Sequence, residues 1–310
     1  MTAVRSCEPL DVIRGVPGSS EYLDTVAQRL TRLFEGRPGA VDRAAAQTLQ
    51  AGGKLLRPLL TFLSSPADRP VPVSAGVAVE LIHLASLVHD DMLDEATVRR
   101  GIPSTWSAFG DRVALATGDC LFALAFTELA RDGDPKALSA LAEAALALAR
   151  GEALQREQRF NPDTTIEESL RLCALKTGAL FSAACRLGAG TASPLSKYGL
   201  ALGIAFQIVD DVLDCAGESN ETGKEPGSDL REGIPTLPLL LAAGKDSVVR
   251  SALAGDSYKG ILKRVERSGA LERSREIALE YADRACACLN GDSRSRELEA
   301  LAQAVVERTR

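Results

Sequence analysis

At 310 residues, 45% of them hydrophobic, the chain is long enough to bury one large core or two average ones. Its formal charge of −6 argues against a general nucleic-acid binder, and its opening residues, MTAVRSCEPLDVIRG, lack the apolar stretch of a secretory signal. No run of 18 or more uncharged apolar residues occurs, so no transmembrane helix is expected; the seven scattered cysteines read as reduced thiols of a cytoplasmic protein, and with two histidines in the chain no zinc site is expected.

Ala and Leu at helical spacing predict helices over residues 77–96, 112–131, 136–159, 166–188, 196–216 and 236–243. Clusters of Gly, Pro and Asp at 37–39, 131–135, 161–163 and 218–233 separate them. No segment alternates β-branched residues, and from about residue 246 the chain is more charged and reads as peripheral amphipathic helices. No low-complexity linker divides it. The expectation is an all-α fold in a single domain over 1–310, a bundle of ten or more helices with its motif-bearing core at about 50–240.

Polar residues inside these apolar helices carry the functional signal. Gly52-Gly53-Lys54-Leu55-Leu56-Arg57-Pro58 sets two cations three residues apart, on one helical face or the turn before it. His83 lies two helical turns before Asp90-Asp91-Met92-Leu93-Asp94, on the same face. Arg99 and Arg100 follow, next to a Gly that helps end the helix. Lys176-Thr177-Gly178 and Gln207 precede a second acidic cluster, Asp210-Asp211-Val212-Leu213-Asp214, and a polar loop with Lys224 follows it. In a helix, positions i, i+1 and i+4 share a face, so each D-D-x-x-D presents carboxylates from within an apolar setting. Burial and mutual repulsion make such a cluster costly unless positive charge compensates. Hard divalent cations bridging to phosphate oxygens are the simplest compensation, and the cations in several short patches suit two phosphorylated groups better than one. Taken singly, each motif also has a plainer reading: a solvated acidic face, a core histidine, a helix-end cation pair, a local threonine cap.

Five motifs in order, GGKLLRP, ELIHLASLVHDDMLDEATVRRGIPS, KTG, FQIVDDVLD and GKEPGSD, resemble the trans-isoprenyl diphosphate (polyprenyl) synthases over about residues 50–240. The resemblance implies a helical bundle around a central cavity, in which an allylic diphosphate binds between the aspartate clusters through about three Mg²⁺ ions. It assigns Asp90, Asp94 and Asp210 as metal ligands, with Asp214 more remote and Asp91 and Asp211 behind them. Lys54, Arg57, His83 and Arg100 match positions that hold isopentenyl diphosphate. Arg99, Lys176, Thr177, Gln207 and Lys224 match positions that hold the allylic diphosphate. One departure is Ile234, where many relatives carry a lysine near that diphosphate.

Ala85 and Ser86, five and four positions before Asp90, are small where family members with short products carry a bulky aromatic. This points to a medium- or long-chain product of about 30–50 carbons. A geranylgeranyl diphosphate synthase is the runner-up; a class I terpene cyclase and a non-catalytic subunit of a heteromeric synthase are the other readings. Family habit implies a homodimer, or a catalytic subunit that works with a smaller partner.

Overall fold

The computed structural model describes residues 16–190, 193–217, 226–289, 291 and 294–308. Among them are sixteen α-helices, a π-helical turn and one short hairpin, so the all-α expectation holds. Helices α1 (Ser19–Arg32), α2 (Ala40–Gln50) and α3 (Leu56–Ser64) lead into α4 (Val73–Leu93), which carries the first acidic cluster. A hairpin, β1 (Val98–Arg99) with β2 (Ile102–Pro103), precedes α5 (Thr105–Phe109), α6 (Asp111–Ala130), α7 (Pro135–Gln158) and α8 (Ile166–Cys173). The π-helical turn Ala174–Gly178 joins α8 to α9 (Ala179–Ala189), and α10 (Leu195–Ala216) carries the second cluster. The remainder is α11 (Ser228–Glu232), α12 (Leu237–Ala243), α13 (Ser247–Leu253), α14 (Ile261–Arg267), α15 (Ala270–Cys286) and α16 (Ser295–Val306).

The long helices α4 and α10 bury most of their residues. Residues such as Val77, Val79, Leu81 and Ile82 of α4 are solvent-inaccessible, which is how a helix that is apolar all round behaves inside a bundle. By length and hydropathy alone α4 and α6 would pass as membrane-crossing, contrary to the expectation from composition, yet 67% of that stretch of α4 is buried within the bundle. For α6 the share is 39%, and Leu115 lies on its open face.

Glycines set one of the close helix contacts. A Cβ at Gly199 of α10 would lie 2.5 Å from the carbonyl oxygen of Phe181, and one at Gly203 would lie 2.6 Å from the Cα of Gly178. Helix α10 therefore presses directly on α9 and the π-helical turn. Gly217, at φ 79°, ends α10 in the left-handed conformation that a helix C-terminus favours. Tyr198 Oη donates to the Leu298 carbonyl at 2.7 Å, tying α10 to α16 inside the core.

The structure interrupts the predicted 166–188 helix at Lys176 and Thr177, where the backbone widens into the π-helical turn. The helix predicted to run to residue 96 stops at Leu93. Arg99 and Arg100 then lie on the hairpin, with Arg100 and Gly101 at φ 51° and 78° between paired strands. Two consecutive positive φ values make the two-residue turn that suits a tight hairpin.

Candidate active site

A cavity of about 660 Å³ opens between the acidic ends of α4 and α10. Lys54, Arg57, His83, Ser86, Asp90, Asp94, Arg99, Arg100, Lys176, Thr177, Gln207, Asp210 and Asp211 all line it, so residues spread over more than 150 positions of sequence meet in one place. Leu55, at φ 49°, breaks the backbone before α3 and lets Lys54 on the turn and Arg57 in the helix reach the same wall. Ile234 lines the cavity too and brings no charge to it.

Three residues marked in the sequence stand elsewhere. Asp91 is 3% exposed and receives Arg99 Nε at 2.9 Å, with Arg99 Nη2 on the same oxygen; it clasps the hairpin to α4 beside the cavity. Asp214 is turned toward α11: Oδ1 accepts from Ser228 N at 3.1 Å and Ser228 Oγ at 2.9 Å, and Oδ2 accepts from Asp229 N at 3.2 Å. Ala85 is fully enclosed in the core, whereas its neighbour Ser86 reaches the cavity and donates to the His83 carbonyl at 2.8 Å. Lys224 lies outside the described residues.

Lys176 is the link between the two clusters. Its ammonium pairs with Glu152 Oε2 at 2.6 Å and donates to Gln155 Oε1 at 2.9 Å. Burial works against its charge, but Asp90, Glu152 and Asp94 together hold its pKa above the usual lysine value. It also offsets a small part of the rise that burial gives the Asp211 pKa across the cavity. Thr177 Oγ1 donates to Gln207 Oε1 at 2.6 Å, and Gln207 Nε2 donates to Asp211 Oδ1 at 2.9 Å. The chain Thr177–Gln207–Asp211 fixes the amide orientation of Gln207 and one oxygen of Asp211.

Sequence reasoning missed Glu80, Glu152, Gln155, Asp229 and Arg308, all of which line the cavity or hold a residue that does. One signal was available for Glu152: it follows Gly151, a glycine within an Ala- and Leu-rich helix. A Cβ at Gly151 would stand 2.8 Å from Lys176 Cγ, so the glycine makes room for the lysine.

The electrostatics carry the mark of missing positive charge. Burial pushes Asp90 up to about 7; Lys176 and Arg99 offset this, while Glu152 and Asp94 add to it. Burial pushes Asp211 up to about 8 despite the Gln207 hydrogen bond, with Asp210 and Asp214 repelling its charge. Asp210 is also raised by burial, against the pull of Arg308 and Arg57. On the other wall, burial lowers Arg57 to about 10, still charged at neutral pH. His83 is held well below the usual imidazole value, first by burial and then by Arg57, Arg100 and Arg99, so it is neutral.

These donors fit a divalent cation. They are carboxylate oxygens, the hard ligands that magnesium, calcium and manganese prefer. Among the described residues no three acidic, His or Cys side chains converge as a closed cage. Each cluster instead offers oxygens from one wall of a shared cavity, which suits a cation completed by water and phosphate.

A helical bundle that turns opposed carboxylates, guanidinium groups and a lysine onto one cavity defines a metal-assisted enzyme of diphosphate chemistry. The polyprenyl synthetase family model matches residues 39–265, and the chain belongs to this family of prenyl-transferring enzymes. It is 36% identical to heptaprenyl diphosphate synthase component 2 of Geobacillus stearothermophilus, over 88% of this chain and 90% of that one. A decaprenyl diphosphate synthase from Rhodobacter capsulatus superposes with a TM-score of 0.87 at 34% identity, covering 97% of this chain and 100% of that one. A polyprenyl synthase from Caulobacter crescentus CB15, complexed with calcium and isoprenyl diphosphate, superposes at 0.89 and 32% identity, covering 99% and 100%.

A pH dependence follows from the raised carboxyl groups. Asp90 and Asp211 keep their protons when folded, whereas in the unfolded chain they ionise near pH 4. Between these values the folded state binds more protons, so the metal-free protein loses stability as pH rises from about 5 to 8. Cations need the ionised form, so Mg²⁺ with inorganic pyrophosphate is expected to restore the melting temperature more at pH 8 than at pH 6. It should also release about one proton at pH 7. Calorimetry in buffers of different ionisation enthalpy measures that proton, and binding without proton release contradicts the assignment.

Proposed function

We propose that this chain is an all-trans polyprenyl diphosphate synthase that extends an allylic diphosphate with isopentenyl diphosphate to a product of about 30–50 carbons. The observation that carries the reading is the meeting of Asp90 and Asp94 with Asp210 and Asp211 across one cavity that Lys54, Arg57, Arg99, Arg100 and Lys176 also line. The match to synthases named for heptaprenyl and decaprenyl products supports the chain length.

In this reading Lys54, Arg57, Arg100 and neutral His83 hold isopentenyl diphosphate. Arg99, Lys176, Thr177 and Gln207 hold the allylic diphosphate beside Asp90, Asp94 and Asp210, and Lys224 joins that set. Mg²⁺ ions, about three of them, supply Lewis-acid stabilisation of the charge that builds on the departing diphosphate. Lys176 and Arg99 add fixed positive charge at the same place. The allylic C–O bond breaks, the double bond of isopentenyl diphosphate attacks the resulting allylic cation, and the departed diphosphate takes the proton that leaves as the new double bond forms. Asp91 keeps Arg99 in place, and Asp214 anchors α11. The two serve the site through those contacts.

Incubation with isopentenyl diphosphate, Mg²⁺ and geranyl, farnesyl or geranylgeranyl diphosphate tests the reading; linear products of about 30–50 carbons are expected. Products that stop at geranylgeranyl diphosphate would overturn the long-chain assignment. Ser86→Phe places a ring in the cavity wall and is expected to shorten the product, whereas Ala85→Phe strains the enclosed core. An unchanged product length in Ser86→Phe removes Ser86 from the tail path.

The protein is read as cytoplasmic and homodimeric. Leu115 on α6 and Leu146 on the adjacent α7 are about half exposed, at 48% and 51%, and supply apolar surface for a twofold contact. A relative named as a component of a synthase supports a second reading, a catalytic subunit with a smaller partner. Activity of the purified chain alone separates the two.

A further inference from the structure

The stretch between α7 and α8 grips the cavity wall from outside. Arg159 closes α7, and Phe160 follows it at φ 58°, a left-handed conformation that a β-carbon disfavours. At a helix end that position usually falls to glycine, whose N–H returns to carbonyls of its own helix. Here the N–H leaves the helix: Phe160 N donates to the Gly233 carbonyl at 2.7 Å. Arg159 Nε donates to the Glu232 carbonyl, also at 2.7 Å. Two consecutive residues thus hold two consecutive carbonyls of a distant segment. The Phe160 ring closes over the contact, since a Cβ on Gly233 would lie 2.4 Å from its Cδ1 and one on Gly255 would lie 3.5 Å from it. The ring is still 43% exposed, so burial alone does not account for an aromatic residue in this backbone conformation. Arg250 of α13 braces the far end of the stretch, with Nη1 3.0 Å from the Pro162 carbonyl and Nη2 on Asp163.

The segment held in this way is cavity wall. Glu232, Ile234, Pro235 and Thr236 line the cavity together with Asp210 and Asp211. It is fastened on a second side too: Ile234 N donates to the Asp229 carbonyl at 2.8 Å, and Asp229 N donates to Asp214 Oδ2 at 3.2 Å. Ile234 and Pro235 are thereby kept beside the second acidic cluster, apolar side chains in a cavity rich in charge. An apolar wall offers water no hydrogen bonds, and exclusion of water protects a reactive cation from hydrolysis.

We propose that Arg159 and Phe160 are positioning residues that latch the turn at 232–236 in place and so keep water from the allylic cation. This rests on the reading of the cavity as a site of prenyl transfer. Both side chains stand outside the cavity lining and act through the Glu232 and Gly233 carbonyls. With the latch closed, the cation meets the double bond of isopentenyl diphosphate. With the latch loosened, a water oxygen bonds to the allylic carbon whose bond to the diphosphate oxygen has broken. The water gives up a proton to the diphosphate, and the products are the prenyl alcohol and pyrophosphate.

Chain-labelled farnesyl diphosphate, isopentenyl diphosphate and Mg²⁺ give the readout: the ratio of farnesol to extended product, taken well below the melting temperature. Arg159→Met combined with Phe160→Gly removes one latching bond and the ring while relaxing the left-handed backbone. It is expected to raise the ratio about fivefold or more, the factor that one hydrogen bond of ordinary worth represents. Phe160→Tyr keeps the ring and is expected to keep the original ratio. If the double variant does not fold, Arg159→Met alone, at a half-buried position, tests the same rise. Loss of a purely structural contact lowers both products together. An unchanged ratio in a folded variant therefore overturns the latch and leaves the prenyl-transfer reading intact. Failure of the unmodified protein to extend geranyl, farnesyl or geranylgeranyl diphosphate overturns both.

Discussion

Asp90→Asn is expected to slow prenyl transfer by about 10³-fold or more, while the melting temperature stays the same or rises. The two halves of this result have one cause. Asp90 lies half-buried at the cavity beside Asp94 and Glu152, and its carboxyl is pushed up to about 7, so its charge is held against the preference of the fold. Removing the charge relieves that repulsion but also removes an oxygen that a divalent cation needs. The amide matches the carboxylate in shape, so packing is preserved and the loss is electrostatic. Steady-state rates beside thermal melts measure it. A fall in activity matched by a fall in melting temperature, or a rate within tenfold of the original, contradicts the role given to Asp90.

Asp214→Ala is expected to do the opposite: to cost about 2–4 kcal/mol of stability, through the loss of charge-assisted hydrogen bonds inside the protein. Asp214 is 8% exposed and accepts three hydrogen bonds from Ser228 and Asp229, which seat α11 and the turn that brings Ile234 to the cavity. Alanine leaves those donors buried without their acceptor. Asp214→Asn keeps an acceptor for Ser228 and should be intermediate in stability, with Mg²⁺-pyrophosphate binding far less impaired than in Asp210→Asn. Denaturant unfolding gives the first quantity and calorimetry the second. If Asp214→Asn abolishes metal binding at an unchanged unfolding midpoint, Asp214 is a ligand and its place under α11 is incidental.

The contrast between Asp210 and Asp214 shows where sequence stops. Both belong to one D-D-x-x-D motif on one helix, and spacing alone puts them on the same side. The difference comes from what faces them: Asp210 meets the cavity and Arg308, and Asp214 meets the N-terminal end of α11. Neither partner is near in sequence to the residue it engages. The helical class, the acidic clusters and the cationic patches were legible because each is written in local periodicity and composition. Glu80, Glu152 and Arg308 were not, since a single charged residue looks like a solvated one until a distant part of the chain packs against it. Ala85 and Ser86 show the same limit at finer scale: adjacent small residues point about 100° apart on a helix, and only the neighbours decide which one reaches the cavity.

The π-helical turn at Ala174–Gly178 can be restated as a question of pitch. Ser169, Cys173, Thr177, Phe181 and Cys185 are all buried, at a constant interval of four residues. A regular helix advances about 400° over four residues, so such a stripe rotates by about 40° at each step and winds away from its neighbour. One surplus residue, the hallmark of a π-turn, takes back about 100° of that drift. Helices α8 and α9 thus form a single rod with a dislocation in it, and Lys176 and Thr177 sit on the dislocation. Their aim into the cavity is set by the phase mismatch between the two halves of the rod, so it is enforced from both ends by packing within the bundle.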